Sequence, residues 1–273
     1  MAVSMAEIKH LRKLTGAGMM DCKNALEEAN GDFDKAVEII RKKGQAVAAK
    51  RSDRDASEGC VAAKSTGKKA TMIALKCETD FVAKNEDFMA LTEQILDLAI
   101  QNGATSLEEV EALKLGDITV AEAVTERSGV TGEKMELDGY NVVEGESTAV
   151  YIHMGNKLGT IVSFNQEVSE QIGREIAMQI AAMNPIAVNA ESIPADVLER
   201  EKQVAAEKAR EEGKPENLID RIVQGRINKF YSEVCLLKQD YVKDSSMTVA
   251  EYLDKQSKGL TVTDFKRFSL DQE

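Results

Sequence analysis

The sequence predicts an α+β protein, built from a three-helix bundle, a duplicated core with small antiparallel sheets and an inserted helical hairpin. Three observations support this fold class. The first 44 residues show only helical periodicity, and two later segments repeat the order strand, tight turn, strand, helix. Two long charged helical stretches then flank a turn at Gly213–Asn217. With 273 residues, the chain has room for two or three such modules.

The N-terminal bundle is predicted from caps and breaks between apolar periodic stretches. Ser4 followed by Glu7 is a capping-box pattern that opens the first helix. A second helix is expected over about 19–29. A third is expected over about 33–43, and Gly44 is a residue that commonly ends a helix. The alternative is that this helix continues into the linker through 46–50. Three short helices of this size make a small bundle of marginal stability.

The turn between the first two helices contains two glycines and two adjacent methionines. Gly16 and Gly18 suggest a dinucleotide-binding loop, but Asp21 stands where a glycine is needed and a helix precedes the motif instead of a strand. We therefore interpret the stretch as a helix–helix turn. Met19 and Met20 are adjacent and cannot both face the bundle core, so we expect at least one to be exposed. The exposed side chain either belongs to a protein-binding surface or projects from the bundle without a binding role.

Net charge and cysteine content restrict the classes of partner. The net charge is −12, which disfavours broad binding to a phosphate backbone and favours protein partners. Four cysteines without a CxxC pair indicate reduced thiols in the cytosol. The N-terminus lacks the apolar region of a secretory signal, and no stretch is apolar enough to span a membrane. One basic cluster gives nucleic-acid binding as a less favoured alternative: Arg41, Lys42, Lys43, Lys50, Arg51 and Arg54.

The core is predicted from an internal repeat. The first copy covers about 59–100 and the second about 147–183, each as strand, turn, strand and helix. In the second copy the strand passes to the helix through the short polar stretch Asn165–Glu167. In the first copy the same junction holds the longer stretch Cys77–Lys84. The fold does not require this extra material, so we expect function there.

Phe81 is the notable residue of that stretch, because it fits neither the strand nor the helix periodicity. We interpret the turn Thr79, Asp80, Phe81 and Val82 as presenting Phe81 and Asp80 to another molecule. Two alternatives remain at this point. Phe81 can instead close the corner between strand and helix as a buried plug, and Asp80 can act as a helix cap.

Motifs for catalysis, phosphate binding or metal binding are incomplete. Gly67-Lys68 resembles the end of a P-loop, but Ala62 and Lys69 stand where that loop needs Gly and Ser or Thr. His10 has no partner at metal-binding or catalytic spacing, and neither does the second histidine of the chain. We therefore expect no enzyme activity, no metal site and no cofactor.

The predicted module boundaries follow from these changes of pattern. Asn184-Pro185 stops the helix of the second copy. Ser246 is expected to cap a helix at 247–256, and the final strand, about 260–270, is expected to return to the core. The second arm of the hairpin carries more apolar surface than the first can cover, so it packs on the core or pairs with another protein. The modules are a bundle at 1–44, a linker at 45–57, a first core half at 58–140, a second core half at 141–184 and 232–273, and the hairpin at 185–231.

Two motifs make the chain resemble the bacterial translation elongation factor Ts family. One is Leu11–Leu26, LRKLTGAGMMDCKNAL, and the other is Thr79–Lys84, TDFVAK. The order of modules along the chain also agrees with that family. One departure precedes the second motif, where the family often has an acid, a hydrophobe and Asn, and this chain has Ala74, Leu75 and Lys76.

The resemblance implies a guanine-nucleotide exchange factor for elongation factor Tu, acting in the cytoplasm. It implies that the bundle is similar to a ubiquitin-associated domain and binds the nucleotide-binding domain of that partner. The turn Thr79, Asp80, Phe81 and Val82 would then disturb the partner's Mg²⁺ site and release GDP, both of which belong to the partner. The hairpin is a dimerisation element in some members, which makes a homodimer a further expectation.

The resemblance also assigns partner-binding residues outside that turn. The second core half is expected to contact another domain of the partner. An adaptor of the ubiquitin-associated type or an RNA-binding scaffold without exchange activity is the alternative function. The implied contact residues are Leu14, Thr15, Gly16, Ala17, Gly18, Met19 and Met20 in the bundle and, in the core, His153, Met154 and Gly155.

Overall fold

The computed structural model describes residues 3–271, and over these residues the α+β class is confirmed. Helices and small antiparallel sheets form four layers, in the order helices, sheet, sheet, helices. Within this described part of the chain, no helix combines the length and the apolar character that crossing a membrane requires.

The N-terminal bundle has three helices around one small apolar core. The predicted capping box is present, because the Glu7 N–H donates to Ser4 Oγ (3.2 Å) and the Ser4 N–H donates to Glu7 Oε2 (2.8 Å). The helices are α1 (Met5–Thr15), α2 (Met19–Glu28) and α3 (Phe33–Lys50). The bundle core contains Ile8, Leu11, Ala17, Cys22, Ala25, Leu26, Ala29 and Ala36. The likeness of this bundle to a ubiquitin-associated domain stays a prediction.

The first core half follows the predicted order of strand, turn, strand and helix, with one additional short helix. Strand β2 lies in the centre of its sheet, with β1 and β5 antiparallel on either side. The elements are β1 (Glu58–Ser65), β2 (Lys69–Cys77), α4 (Asp80–Ala83), α5 (Glu86–Asn102), α6 (Leu107–Ala112), β3 (Lys114–Leu115), β4 (Ile118–Thr119), α7 (Val120–Thr131) and β5 (Glu136–Glu144).

The second core half has the same arrangement around its own central strand. Strand β7 lies between β6 and the final strand β10, which returns to the core as predicted. The shared arrangement agrees with a duplication, which itself stays a prediction. The elements are β6 (Ser147–Ile152), β7 (Leu158–Phe164), α8 (Glu170–Met183), α9 (Ala195–Glu211), α10 (Glu216–Val234), β8 (Asp240–Tyr241), β9 (Asp244–Thr248), α11 (Val249–Gln256) and β10 (Val262–Ser269).

Three apolar clusters hold these layers together. One lies between the first sheet and α5, and a second lies between the other sheet, α8 and α11. The third joins the two sheets and contains Val61, Ala70, Met72, Ala74, Val143, Ile161 and Leu270. Because side chains from both sheets fill the third cluster, the two core halves share one packed interior.

The inserted hairpin consists of α9 and α10, as predicted. The two arms pack on each other through Ala205, Ala209, Ile219 and Ile227, all of which are buried. At the base, Phe230 packs against a small cluster around Cys235. Much of the apolar surface of the second arm is therefore covered by the first arm and by the cluster at the base of the hairpin. Pairing of two copies through this hairpin stays a prediction.

Helix α3 runs past Gly44, so the expected end at Gly44 is wrong, and the alternative in which the helix continues through 46–50 is confirmed. The helix runs through Gly44 to Lys50, so the first half of the predicted linker 45–57 is helical. The reason is the crossing of α3 and α7, where a Cβ on Gly129 would lie 2.1 Å from the Cα of Gly44. Packing of backbone on backbone stabilises α3 at a residue that by itself disfavours a helix.

Candidate functional site

The junction between β2 and α5 is built by two helix caps close together. The Thr79 hydroxyl accepts from the Val82 N–H (3.5 Å) and starts α4. Asn85 Oδ1 then accepts from the N–H groups of Asp87 (3.0 Å) and Phe88 (3.3 Å) and starts α5. The alternative in which Asp80 caps the helix is therefore wrong, because the side-chain cap is Thr79.

Phe81 points away from the protein at the tip of this junction. Its side chain is 84% exposed, whereas Phe88, one turn into α5, is fully buried. The alternative in which Phe81 plugs the corner between strand and helix is therefore wrong. Val82 is partly buried against the first core cluster, so one side of the turn is anchored while Phe81 is free. An exposed aromatic on an anchored turn is typical of a residue that binds another protein.

Asp80 is a charged hydrogen-bond acceptor beside Phe81. Its carboxylate pairs with Lys84 at 2.6 Å, and that hydrogen bond is the main reason why the pKa of Asp80 is lowered. The charge of Lys157, the residue just before β7, lowers the pKa further. Asp80 is therefore ionised at neutral pH and accessible to a partner.

The predicted core residues His153, Met154 and Gly155 lie in the turn between β6 and β7. Gly155 has a φ of 91°, and Met154 is 90% exposed at the tip. Just past this turn, Lys157 bonds Glu58 at 2.9 Å, and Glu58 pairs with Cys77 at the end of β2. The structure therefore brings this turn to the same end of the core as Phe81.

His153 belongs to a small aromatic and cationic surface beside that turn. Tyr151 Oη lies 2.9 Å from His153 Nδ1, within hydrogen-bond distance. The Arg174 guanidinium lies over the Tyr151 ring, 5.5 Å from its centre. These side chains form a polar surface at the edge of the second sheet. Such a surface is suited to hydrogen bonding with a protein partner.

The bundle segment Leu14–Met20 divides into exposed and buried residues. Leu14 is 63% exposed and Met20 is 64% exposed, while Met19 packs against the bundle core. The prediction that at least one of the two methionines is exposed is thus confirmed. Ala17 is only 4% exposed, so its side chain supports the turn from inside, and the assignment of this segment as a partner contact stays a prediction.

Arg127 on α7 connects the bundle to the Phe81 junction. Its Nη1 lies 3.4 Å from the position that a Cβ on Gly16 would take, and its Nη2 donates to Asn85 Oδ1 at 2.9 Å. Arg127 also pairs with Asp87 at 3.2 Å. One guanidinium group therefore contacts both the bundle turn and the start of α5, which places these two segments side by side.

The basic cluster at 41–54 is largely neutralised within the chain. Arg41 pairs with Glu126 of α7 at 2.6 Å, and burial raises the pKa of Glu126 in spite of this charge. The other described pairs are Lys42 with Glu38, Lys43 with Asp21 and Arg51 with Glu78. Paired cations are less available to phosphates, which weakens the nucleic-acid alternative.

The buried cysteines are poor candidates for nucleophilic chemistry. Burial raises the pKa of Cys60 to about 11 and that of Cys77 to about 12. Both thiols therefore stay protonated at neutral pH, and a thiol is a much weaker nucleophile than a thiolate. Over residues 3–271, no group of three or more His, Cys, Asp or Glu side chains is arranged to hold a metal ion.

Sequence reasoning missed three residues that build this site: Arg127, Glu133 and Lys157. Each acts on a partner far away along the chain. Arg127 bonds Asn85 across 42 positions, and Lys157 bonds Glu58 across 99. Glu133 bonds the backbone of Glu78 across 55 positions. No local pattern reports such contacts, because caps and periodicities relate only residues within about one or two helical turns.

Comparison with known proteins gives a consistent match. The family model described as "Elongation factor TS" matches residues 78–272. The protein "Elongation factor Ts" of Porphyromonas gingivalis is 56% identical over 274 residues, covering 100% of both chains. Proteins of the same name from Azobacteroides pseudotrichonymphae and Bacteroides thetaiotaomicron are 52% and 51% identical, again over 100% of both chains.

Proposed function

The chain belongs to the elongation factor Ts family, and from that premise we propose that it promotes nucleotide exchange on elongation factor Tu during translation. The activity requires no covalent chemistry by this chain and takes place in the cytoplasm. GDP and Mg²⁺ are bound by the partner, and this chain acts on their site from outside. The observation that carries the proposal is Phe81, an aromatic residue that is 84% exposed on an anchored turn. This turn lies within the region that matches the elongation factor Ts family model.

Phe81 acts as an apolar wedge. Mg²⁺ demands tight octahedral geometry, so a small shift of one ligand or of a supporting helix weakens its binding. Burying Phe81 in the partner contributes roughly 1.5–3 kcal/mol, which is available to hold that shifted state. The neighbouring Asp80 carboxylate accepts hydrogen bonds from the partner or repels acidic groups near the phosphates. Neither residue needs to bind the ion itself.

Release of GDP follows from linkage between two binding events. The exchange factor binds the nucleotide-free partner more tightly than the GDP-bound partner, so factor and nucleotide weaken each other's affinity by the same factor. Leu14 and Met20 in the bundle and Met154 in the core provide contacts that do not depend on the nucleotide. These contacts hold the complex together while Phe81 acts on the ion site.

The release of fluorescent GDP from elongation factor Tu tests the proposal. We expect Phe81→Ala to slow stimulated release more than about tenfold, which corresponds to a loss of roughly 1.4 kcal/mol or more. Leu218→Ala, which removes an exposed apolar side chain from the hairpin, is the matched control and should leave release unchanged. Equal stimulation by Phe81→Ala and the unmodified chain would rule out the wedge.

A second measurement separates this function from its alternative. If the chain were an adaptor or an RNA-binding scaffold, it would recover RNA or unrelated proteins from a bacterial lysate, and purified elongation factor Tu would gain no exchange rate. We expect elongation factor Tu in the recovered material and a rate that saturates with the concentration of this chain.

A further inference from the structure

The Glu133 carboxylate bonds the first residues of the turn that carries Phe81. Its Oε2 accepts from the backbone N–H groups of Glu78 (3.1 Å) and Thr79 (3.0 Å), and its Oε1 accepts from the Thr79 hydroxyl (2.6 Å). One carboxylate therefore fixes two successive peptide groups and one side chain at the point where β2 ends. Hydrogen bonds to an ionised acceptor are about twice as strong as neutral ones.

Glu78 makes the reciprocal contacts toward the segment that carries Glu133. Its Oε1 accepts from the Lys134 N–H at 2.6 Å, and Arg51 Nη1 donates to both of its carboxylate oxygens at 2.9 and 2.8 Å. The Glu78 side chain is only 15% exposed. Burial alone would raise its pKa, but Lys134 and Arg51 lower the pKa on balance. We call Glu78 and Glu133 the glutamate clamp.

Besides the clamp, the turn is held by Val82 and Ala83, which pack against the first core cluster, and by Cys77 Sγ, which donates to the Thr79 carbonyl at 3.3 Å. Helix α4 has four residues and none of them is buried. Its cap, from the Val82 N–H to the Thr79 hydroxyl, is long at 3.5 Å. The Thr79 hydroxyl is itself held by Glu133, so the direction in which α4 leaves the sheet depends on that carboxylate.

We infer that Glu133 is a positioning residue that sets the direction of Phe81 before a partner binds. The inference rests on the proposed function, because it assigns to Glu133 a part in the same exchange activity. A turn that is already ordered spends less binding energy on its own immobilisation. Loss of the clamp therefore lowers the rate at which bound partner loses GDP, while contacts made elsewhere keep the half-saturating concentration unchanged.

The matched control is Glu109, which makes the same kind of contact at an unrelated helix start. Glu109 Oε2 accepts from the Thr105 N–H at 2.7 Å and from the Thr105 hydroxyl at 3.0 Å, just before α6. Glu109→Ala thus removes a similar carboxylate that bonds a backbone N–H and a threonine hydroxyl. It leaves the Phe81 turn intact.

The experiment measures stimulated GDP release over a range of concentrations for Glu133→Ala, Glu133→Gln and Glu109→Ala. We expect Glu133→Ala to lower the maximal rate at least about fivefold, with the half-saturating concentration within about twofold of the unmodified chain. Glu133→Gln should be intermediate, because its amide oxygen can still accept from both backbone N–H groups. Glu109→Ala should match the unmodified chain.

Limited digestion with chymotrypsin gives a readout that does not depend on exchange. The enzyme cleaves after exposed aromatic residues in flexible segments, and mass spectrometry identifies the cut after Phe81. We expect this cut to appear at least about fivefold faster in Glu133→Ala, because local opening of the turn becomes more frequent. Glu109→Ala should not change the rate of that cut.

The outcomes distinguish the two proposals. Absence of stimulation by the unmodified chain would refute the exchange function, while faster cleavage after Phe81 would still support the clamp. Unchanged maximal rate and unchanged cleavage in Glu133→Ala would overturn the inference. A change confined to the half-saturating concentration would also overturn it, since Glu133 would then be a contact residue. If Glu133→Ala fails to fold, the same criteria apply to Glu133→Gln.

Discussion

The two core halves pass from strand to helix in different ways. In the first half, β2 reaches α5 through 78–85, which includes the short helix α4 and leaves Phe81 84% exposed. In the second half, β7 reaches α8 through 165–169 without any helix between them. Both junctions join the central strand of a three-stranded sheet to the helix that covers it.

The second junction directs its side chains toward its own chain. Asn165 accepts from the Thr261 N–H at 2.8 Å and donates to the Gly259 carbonyl at 2.9 Å. Gln166 accepts from the Ser257 hydroxyl at 2.7 Å and donates to the Lys258 carbonyl at 3.1 Å. These four hydrogen bonds tie the junction to the segment before β10.

Comparison of the two junctions indicates which half of the core presents a surface to a partner. Both junctions are anchored by side-chain hydrogen bonds, so anchoring alone does not distinguish them. In the second junction the side chains of the turn itself bond to the rest of the chain, whereas the glutamate clamp bonds the backbone of the first junction and leaves Phe81 exposed. A tip that the fold does not use is available for a partner. Three predictions test this contrast between the two junctions.

The largest expected effect distinguishes Phe81 of the first junction from Phe88 of the helix that follows it. Phe88 is fully buried, so Phe88→Ala should lower the free energy of unfolding by about 3–5 kcal/mol. Phe81→Ala removes an exposed side chain and should change it by less than about 0.5 kcal/mol. Urea unfolding followed by circular dichroism measures both. A large loss of stability in Phe81→Ala would mean that the tip serves the fold after all.

The next effect concerns the helix that follows the second junction. Glu175 of α8 is buried, which by itself raises its pKa, but hydrogen bonds from Lys243, Tyr252, Tyr241 and Gln171 outweigh burial and lower the pKa to about 2. The ionised form is therefore the stabilising one. Its contribution, at most about 3 kcal/mol, is complete above the ordinary pKa of 4.5 and is lost as the pH falls toward 2.

Urea unfolding at pH 7 and at pH 3 measures this contribution. We expect the loss of stability between these pH values to be smaller in Glu175→Gln than in the unmodified chain. Helix α5 supplies the contrast, because its buried residues are Phe88, Thr92, Ile95, Leu96 and Ala99, none of them acidic. If the Glu175→Gln variant and the unmodified chain lost the same stability between pH 7 and pH 3, Glu175 would not be the source of the acid sensitivity.

The smallest effect tests the second junction directly. Gln166→Ala removes two side-chain hydrogen bonds and should lower the free energy of unfolding by about 1–2 kcal/mol. Stimulated GDP release should be unchanged, because this junction faces its own chain. If Gln166→Ala slowed release as much as Glu133→Ala does, the two junctions would not differ in function.

Much of the fold could be predicted from the sequence because its signals are local. The Ser4 and Glu7 capping box lies within one helical turn, and the bundle and the core strands follow from apolar periodicity. The exposed Phe81 was also predictable, since it fits neither neighbouring periodicity. One local signal was misread. Helix α11 starts at the Thr248 and Glu251 capping box, not at Ser246, because pairing of β9 with β8 continues through Thr248.

Local sequence signals are enough to predict the α+β class, the order of the helices and strands and the turn that carries Phe81, since each depends on neighbours along the chain. The packing at Gly44 within α3 and the hydrogen bonds from Thr79 to Glu133 depend instead on contacts between distant segments. Gly129 lies 85 positions from Gly44, and Glu133 lies 54 from Thr79. Such contacts form only when separate elements pack. Packing brings residues that are far apart along the chain to within hydrogen-bond or van der Waals distance of each other.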